Sequence, residues 1–248
     1  MDIDSLRENP AYAPVGIILG AFAWFALKKV SESIPCVDAA QLRKTLLALI
    51  FSGAYIYIWI QGSNPHDAEI KDSTLADEIP LLLAGGYYVL HIYPQRFLST
   101  SAHHFVCIIA IICVIIEQKG ASCANTFGFL DEAPNVFFAL RGCIAKLEVC
   151  ALDFILNVIY PLVFILAKFV ALGYHTYLIL NQDAAIHLQV MAVILALFSL
   201  AFVLEIGYLA YKGDEENKKV RSKSKSKSKS RSRSRSKSKS RKSRCCRR

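Results

Sequence analysis

Apolar residues in this chain are gathered into blocks of 16 to 25 rather than spread as stripes along amphipathic elements. A bilayer core about 30 Å thick takes roughly 17–25 such residues per helix. Seven segments approach or reach that length: 11–27, 45–61, 79–94, 97–116, 121–140, 148–172 and 189–211. With 54% hydrophobic residues arranged this way, an ordinary water-soluble domain is excluded. The expected fold class is an all-α polytopic transmembrane helical bundle of about seven spans. The third segment is the shortest and carries Gly85-Gly86 at its middle, and the fifth is the most polar.

The loops test that count. Lys and Arg gather in short cytoplasmic loops. Lys28, Lys29, Arg43 and Lys44 separate segments one and two, Arg96 separates three and four, and Arg141 and Lys146 separate five and six. The other side carries Arg7, Lys71 and Lys119, with acidic residues crowding 65–78. Seven spans therefore put the N-terminus outside or in a lumen and the C-terminus in the cytosol, whereas six would spoil the alternation. Asp2, Asp4 and Glu8 precede the first block, where a signal peptide carries positive charge, so an uncleaved anchor is expected. The chain divides by composition into an anchor and loop (1–42), a membrane domain (43–212) and a tail (213–248).

The tail has its own chemistry. Residues 221–248 hold 15 of the 29 Lys and Arg and no acid, so the tail stands at +15 and the rest at −6. Basic residues and serines alternate strictly from Arg221 to Ser240. Such composition buries no core and is expected to be disordered. It can bind anionic lipid headgroups, at about 1 kcal/mol per basic residue near the surface. It can also be a kinase substrate: its eleven serines, at about −1.5 to −2 per phosphate, would cancel or invert the charge. Non-specific RNA binding by counterion release is a third reading. No aromatic residue interleaves the run, so specific nucleic-acid binding is not expected. A solvated extension without a partner is the fourth. Cys245 and Cys246, flanked by Arg, are candidate palmitoylation sites. The other cysteines lie in or beside apolar runs or stand alone, none in a Cys-x-x-Cys pair, so neither a disulfide nor a thiolate metal site is expected.

Ionisable residues inside a span cost about 2.5–3.5 kcal/mol on insertion scales, so each needs a reason. Here they are His91, the pair His103-His104, the pair Asp131-Glu132, Asp153, Lys168 near the end of segment six, and Glu205. They can satisfy one another and fix helix register, or they can form a site. The two pairs sit on consecutive helices, and neighbours on one helix point about 100° apart, so one member of each can turn inward. An imidazole beside a carboxylate makes a general base. The same groups can ligate a metal, but neither spacing is diagnostic and no metal is expected. Pro134 should kink the helix near Asp131, with Asn135 adding polarity there.

The order of these features resembles the TLC domain family from about Arg43 to Lys212. That family includes ceramide synthases, translocating-chain-associating membrane proteins, and relatives linked to phospholipid composition and cargo export. Gly86-Tyr87-Tyr88 is similar to the small-aromatic start of a central family helix. Ser101-Ala102-His103-His104 resembles the histidine pair on the next helix, and Phe129-Leu130-Asp131-Glu132-Ala133-Pro134-Asn135 falls where the second motif lies. Asn157 through Lys168 resembles the helix after it. Ceramide synthases have His-Asp-x-Ser-Asp in the second motif; this chain lacks both the His and the Ser there. The acidic-then-Pro form is more similar to members without an established acyltransferase role.

What the resemblance implies is a multi-pass protein of membrane lipid homeostasis, in the endoplasmic reticulum, with membrane lipids as partners and no cofactor. His103, His104, Asp131 and Glu132 would be catalytic or hold a lipid headgroup, supported by His91 and Asn135, all lining one cavity. The alternative is a sphingoid N-acyltransferase with acyl-CoA as co-substrate. A membrane cargo receptor is a third reading, and a second copy of the chain is a candidate partner.

Overall fold

The computed structural model describes residues 3–33, 39–62, 70–92, 98–145, 159, 161–205 and 208. The tail with Cys245 and Cys246, together with Asp153, Asn157 and the Asn135 side chain, lies outside what is described. All regular structure among the described residues is helical, apart from one isolated antiparallel bridge between Asp72 and Lys119. In chain order the helices are α1 (Ile3–Arg7), α2 (Tyr12–Glu32), α3 (Ala39–Ile60), α4 (Leu75–His91), α5 (Leu98–Glu117) and α6 (Ala121–Ala145). They are followed by α7 (Pro161–Leu180) and α8 (Ile186–Glu205). By contacts the chain divides into residues 1–201 and 202–248. The described part of the second unit is little more than the last turn of α8.

Five helices are long and apolar enough to cross a bilayer: α2, α3 from Leu42, α5 from Thr100, α7 and α8. Only 17–33% of the residues in their most apolar windows are buried. Their outward faces are apolar all the same: Phe22, Trp59, Ile60 and Ile186 are each at least 67% exposed. An exterior of that kind is stable against hydrocarbon and not against water, so these helices mark an integral membrane protein. The helices α4 and α6 fall short of the same standard, α4 in length at 17 residues and α6 in apolarity. Both are interior elements. The first packs against α2, α5 and α6, the second against α3, and an interior helix can carry polar groups that protein partners satisfy.

Small residues bring the helices close. Gly20 of α2 meets Gly86 of α4 so tightly that a Cβ on Gly86 would lie 2.3 Å from the Ala21 nitrogen and the Gly20 carbonyl carbon. Gly16 and Gly20 form a Gly-x-x-x-Gly pair, the spacing that lets membrane helices approach backbone to backbone. Phe51 of α3 lies over Gly128 of α6 in the same way, and Tyr55 stacks on Phe129 with ring centroids 4.3 Å apart.

The chain alternates direction through the bundle. At one end Arg7 donates to both oxygens of Glu78, at 2.6 and 3.2 Å, and to the Ser73 carbonyl. Ser73 is tied to the α5–α6 turn through Gln118 and Ala121, and His187 of α8 lies 3.2 Å from Glu117. Thr74 and Asp77 form a capping box that starts α4 at this same end. At the opposite end the last turn of α2 meets the first of α3 through Arg43 and Ser31, and His104 of α5 meets the His91 carbonyl of α4.

One local expectation needs correction. The sixth apolar segment is expected to end at 172, but among the described residues the helix that contains Pro161 continues to Leu180. Lys168 therefore lies inside α7 rather than near its end. Pro134 is buried within α6, and the helix runs on to Ala145.

Candidate functional site

The site is assembled around Asp131, midway along α6 and 6% exposed. Its Oδ2 lies 3.4 Å from Nε2 of His103 on α5. Its Oδ1 accepts a hydrogen bond from Ser199 of α8 at 2.6 Å and pairs with the ammonium of Lys168. Four helices thus converge on one carboxylate. Lys168 reaches it from a π-helical turn, Leu166–Ala171, inside α7. Such a turn carries one extra residue against the α ladder and re-aims the side chains within it.

The charges balance locally. An isolated carboxylate here would carry a desolvation cost of several kcal/mol, and the Lys168 ammonium offsets it. The carboxylate and the ammonium cancel, and the His103 ring adds a third polar contact to the same carboxylate. The same Nε2 lies 3.4 Å from the Cys107 sulfur, one turn further along α5. With Nε2 facing Asp131 and Cys107, Nδ1 is the nitrogen on the other side of the ring.

His103 and Asp131 close one end of an apolar slot of about 90 Å³. Its walls are His103, Cys107, Ala110, Ile111 and Val114 on α5 facing Asp131, Gly128, Phe127, Ala124 and Cys123 on α6. Phe51, Leu81, Tyr88, Ile179 and Leu195 complete it from the other helices. From His103 to Val114 the slot follows α5 for about 16 Å at 1.5 Å per residue. It is a narrow apolar channel with its ionisable groups at one end.

The remaining predicted residues are near but not in it. His104, His91 and Glu132 are not among the slot-lining residues, contrary to the expectation of a single cavity for all of them. The reason is the turn of the helix: when His103 and Asp131 face the slot, their neighbours point about 100° away, toward α4. There the His104 Nδ1 lies 3.0 Å from the His91 carbonyl, and the Tyr88 hydroxyl donates to Glu132 at 3.2 Å. His91 stacks on Tyr87, centroids 4.1 Å apart, and its Nδ1 lies 2.8 Å from the Tyr87 carbonyl. These residues brace the site from behind.

His103, Asp131 and Glu132 each bring one ligand atom within 4.8 Å of the others, a spacing a metal ion could use. The Lys168 ammonium on Asp131 opposes a cation there, and Tyr88 already holds Glu132. The donor set fits the protein's own hydrogen bonds better than an ion.

Sequence reasoning singled out Lys168 but not as part of this site, and it missed Ser199, Tyr88 and Cys107. A lysine inside an apolar segment is itself a signal. Ser199 offers none, because a small hydroxyl in a span is inexpensive. No family model, characterised protein or solved structure matches the chain, so the likeness to the TLC family stands on the motifs quoted above.

Proposed function

We propose that the chain is a seven-span, TLC-type protein of membrane lipid homeostasis, which takes a lipid acyl chain into the slot and holds its polar end at His103 and Asp131. The observation that carries the reading is the buried His103–Asp131 contact, 3.4 Å, at one end of a narrow apolar channel. An acyl chain is the ligand class that is long, narrow and apolar with one polar end. In this reading α4 and α6 cross the bilayer inside the bundle. The N-terminus is lumenal, the tail is cytosolic and binds anionic headgroups, and the membrane is the endoplasmic reticulum.

The test is the lipid composition of membranes from cells lacking the protein, restored with wild type, His103→Ala or Asp131→Asn. The expected result is an altered acyl-chain profile that wild type corrects and neither variant does. A profile unchanged by the loss removes the reading.

The same pair favours a second reading, acyl transfer from acyl-CoA to a sphingoid amine. His103 would take the amine proton, with Asp131 setting the ring and stabilising its cation. Purified protein with acyl-CoA and a sphingoid base would then form amide, and His103→Ala would slow it about 10²–10⁴-fold. No amide under conditions where a ceramide synthase works rejects this reading and leaves the first intact.

A further inference from the structure

A second cavity lies away from the slot, between α2 and α3. This groove of about 460 Å³ is lined by Trp24 and Leu27 of α2, Leu46, Leu49 and Ile50 of α3, and Leu83 of α4. Leu49 is 54% exposed, so the groove lies open to the apolar exterior. The Trp24 indole N–H is bonded to the Leu83 carbonyl at 2.8 Å, which leaves only hydrocarbon and ring surface facing the groove.

Basic residues lie within about one turn of the groove on both helices. Residues three or four apart share a helix face, so Arg43 continues the Leu46 and Ile50 face of α3 and Ser31 continues the Leu27 face of α2. Arg43 Nη1 donates to the Ser31 hydroxyl at 3.3 Å, and that hydroxyl donates to the Lys28 carbonyl, fixing the guanidinium across the gap between the helices. Arg43 is 8% exposed, and its Nε, itself covered by protein, has no hydrogen-bond partner. An unmet donor on a buried cation costs a desolvation penalty, and such a group calls for an acceptor. Lys44, its neighbour in sequence, and Lys28, whose carbonyl accepts from Ser31, add charge. Glu32 lies 4.0 Å from Lys28 and offsets part of this.

We propose that this groove binds a glycerophospholipid, one acyl chain lying along Leu46, Leu49 and Ile50 and the phosphate accepting from Arg43 Nε once the guanidinium turns toward it. Nε and Nη2 form the edge of the guanidinium away from Ser31, and phosphate oxygens match that fork. A carboxylate would satisfy the same edge, but the adjoining hydrocarbon groove selects an acceptor attached to an acyl chain. This site is independent of the His103 slot and of the chemistry proposed there.

Trp24 makes the proposal measurable. In a Trp59→Phe background the full chain, in detergent, is titrated with phosphatidic acid brominated in its acyl chains. Saturable quenching of Trp24 is expected, with affinity about tenfold weaker in Arg43→Gln. Brominated diacylglycerol should fail to saturate in that range, and inorganic phosphate should not displace the lipid. Equal affinity in Arg43→Gln, or equal quenching by diacylglycerol, means that Arg43 is only a structural link between α2 and α3 and overturns the proposal. Displacement by inorganic phosphate overturns the lipid assignment. Should Arg43→Gln lose its helical circular dichroism, Leu49→Phe on the exposed wall decides instead, and unchanged quenching there rejects the site.

Discussion

Asp131 illustrates how a buried charge shapes this protein residue by residue. It holds Lys168, Ser199 and His103 at once, so removing one partner leaves another stranded. Asp131→Leu strands the Lys168 ammonium in a site where the Lys side chain is 4% exposed, and should cost about 3–5 kcal/mol of stability. Adding Lys168→Met should recover most of that loss, because an apolar pair of similar size carries no desolvation penalty. Unfolding in detergent, followed by circular dichroism for both singles and the double, checks this. Additive losses would mean the two side chains do not interact. At this scale the sequence was readable where insertion is costly: His103 and Asp131 stand out in apolar blocks. It was not readable for Ser199, or for which member of each polar pair faces the slot, since that depends on helix rotation set by the whole bundle.

Among the elements, α2 and α4 are joined through glycine. A Cβ at Gly86 would meet backbone atoms of Gly20 and Ala21 at 2.3 Å, and backbone cannot swing aside as a side chain can. Gly86→Ala should therefore destabilise by about 1–3 kcal/mol, the usual cost of overpacking. Gly173→Ala in α7 is the matched control: nothing lies within 4 Å of its Cβ. There the gain in helix propensity, up to about 1 kcal/mol, should hold stability or raise it. Thermal unfolding of the two variants separates close packing from a general intolerance of alanine. Gly85-Gly86 stood out in the third apolar block, but nothing in the sequence pairs Gly86 with Gly20 of the first. The π-helical turn that carries Lys168 was invisible, because Leu-Ala-Lys-Phe-Val-Ala reads as ordinary helix.

Across the whole molecule, the two ends of the bundle carry different locks. At the end bearing α1, Glu78 is fully buried and held by both hydrogen bonds from Arg7. Arg7→Met should cost about 3–5 kcal/mol by leaving that carboxylate unpaired, far more than a surface pair would lose, and a melting curve in detergent reads it. The Arg43 end is positive, as the loop charges require if it faces the cytosol. These two ends set the last prediction. Helices that alternate direction from α2 to α8 put the chain's start at the Arg7 end and send α8 toward the other. If α4 and α6 cross the bilayer with the five apolar helices, the crossings number seven and the termini lie on opposite faces. In sealed microsomes a tag at the N-terminus should resist added protease, while one after Arg248 should be digested. Removal of both tags, or protection of both, would mean an even number of crossings. One of α4 and α6 would then have to end within the membrane, as the polar and less hydrophobic α6 is the better fitted to do.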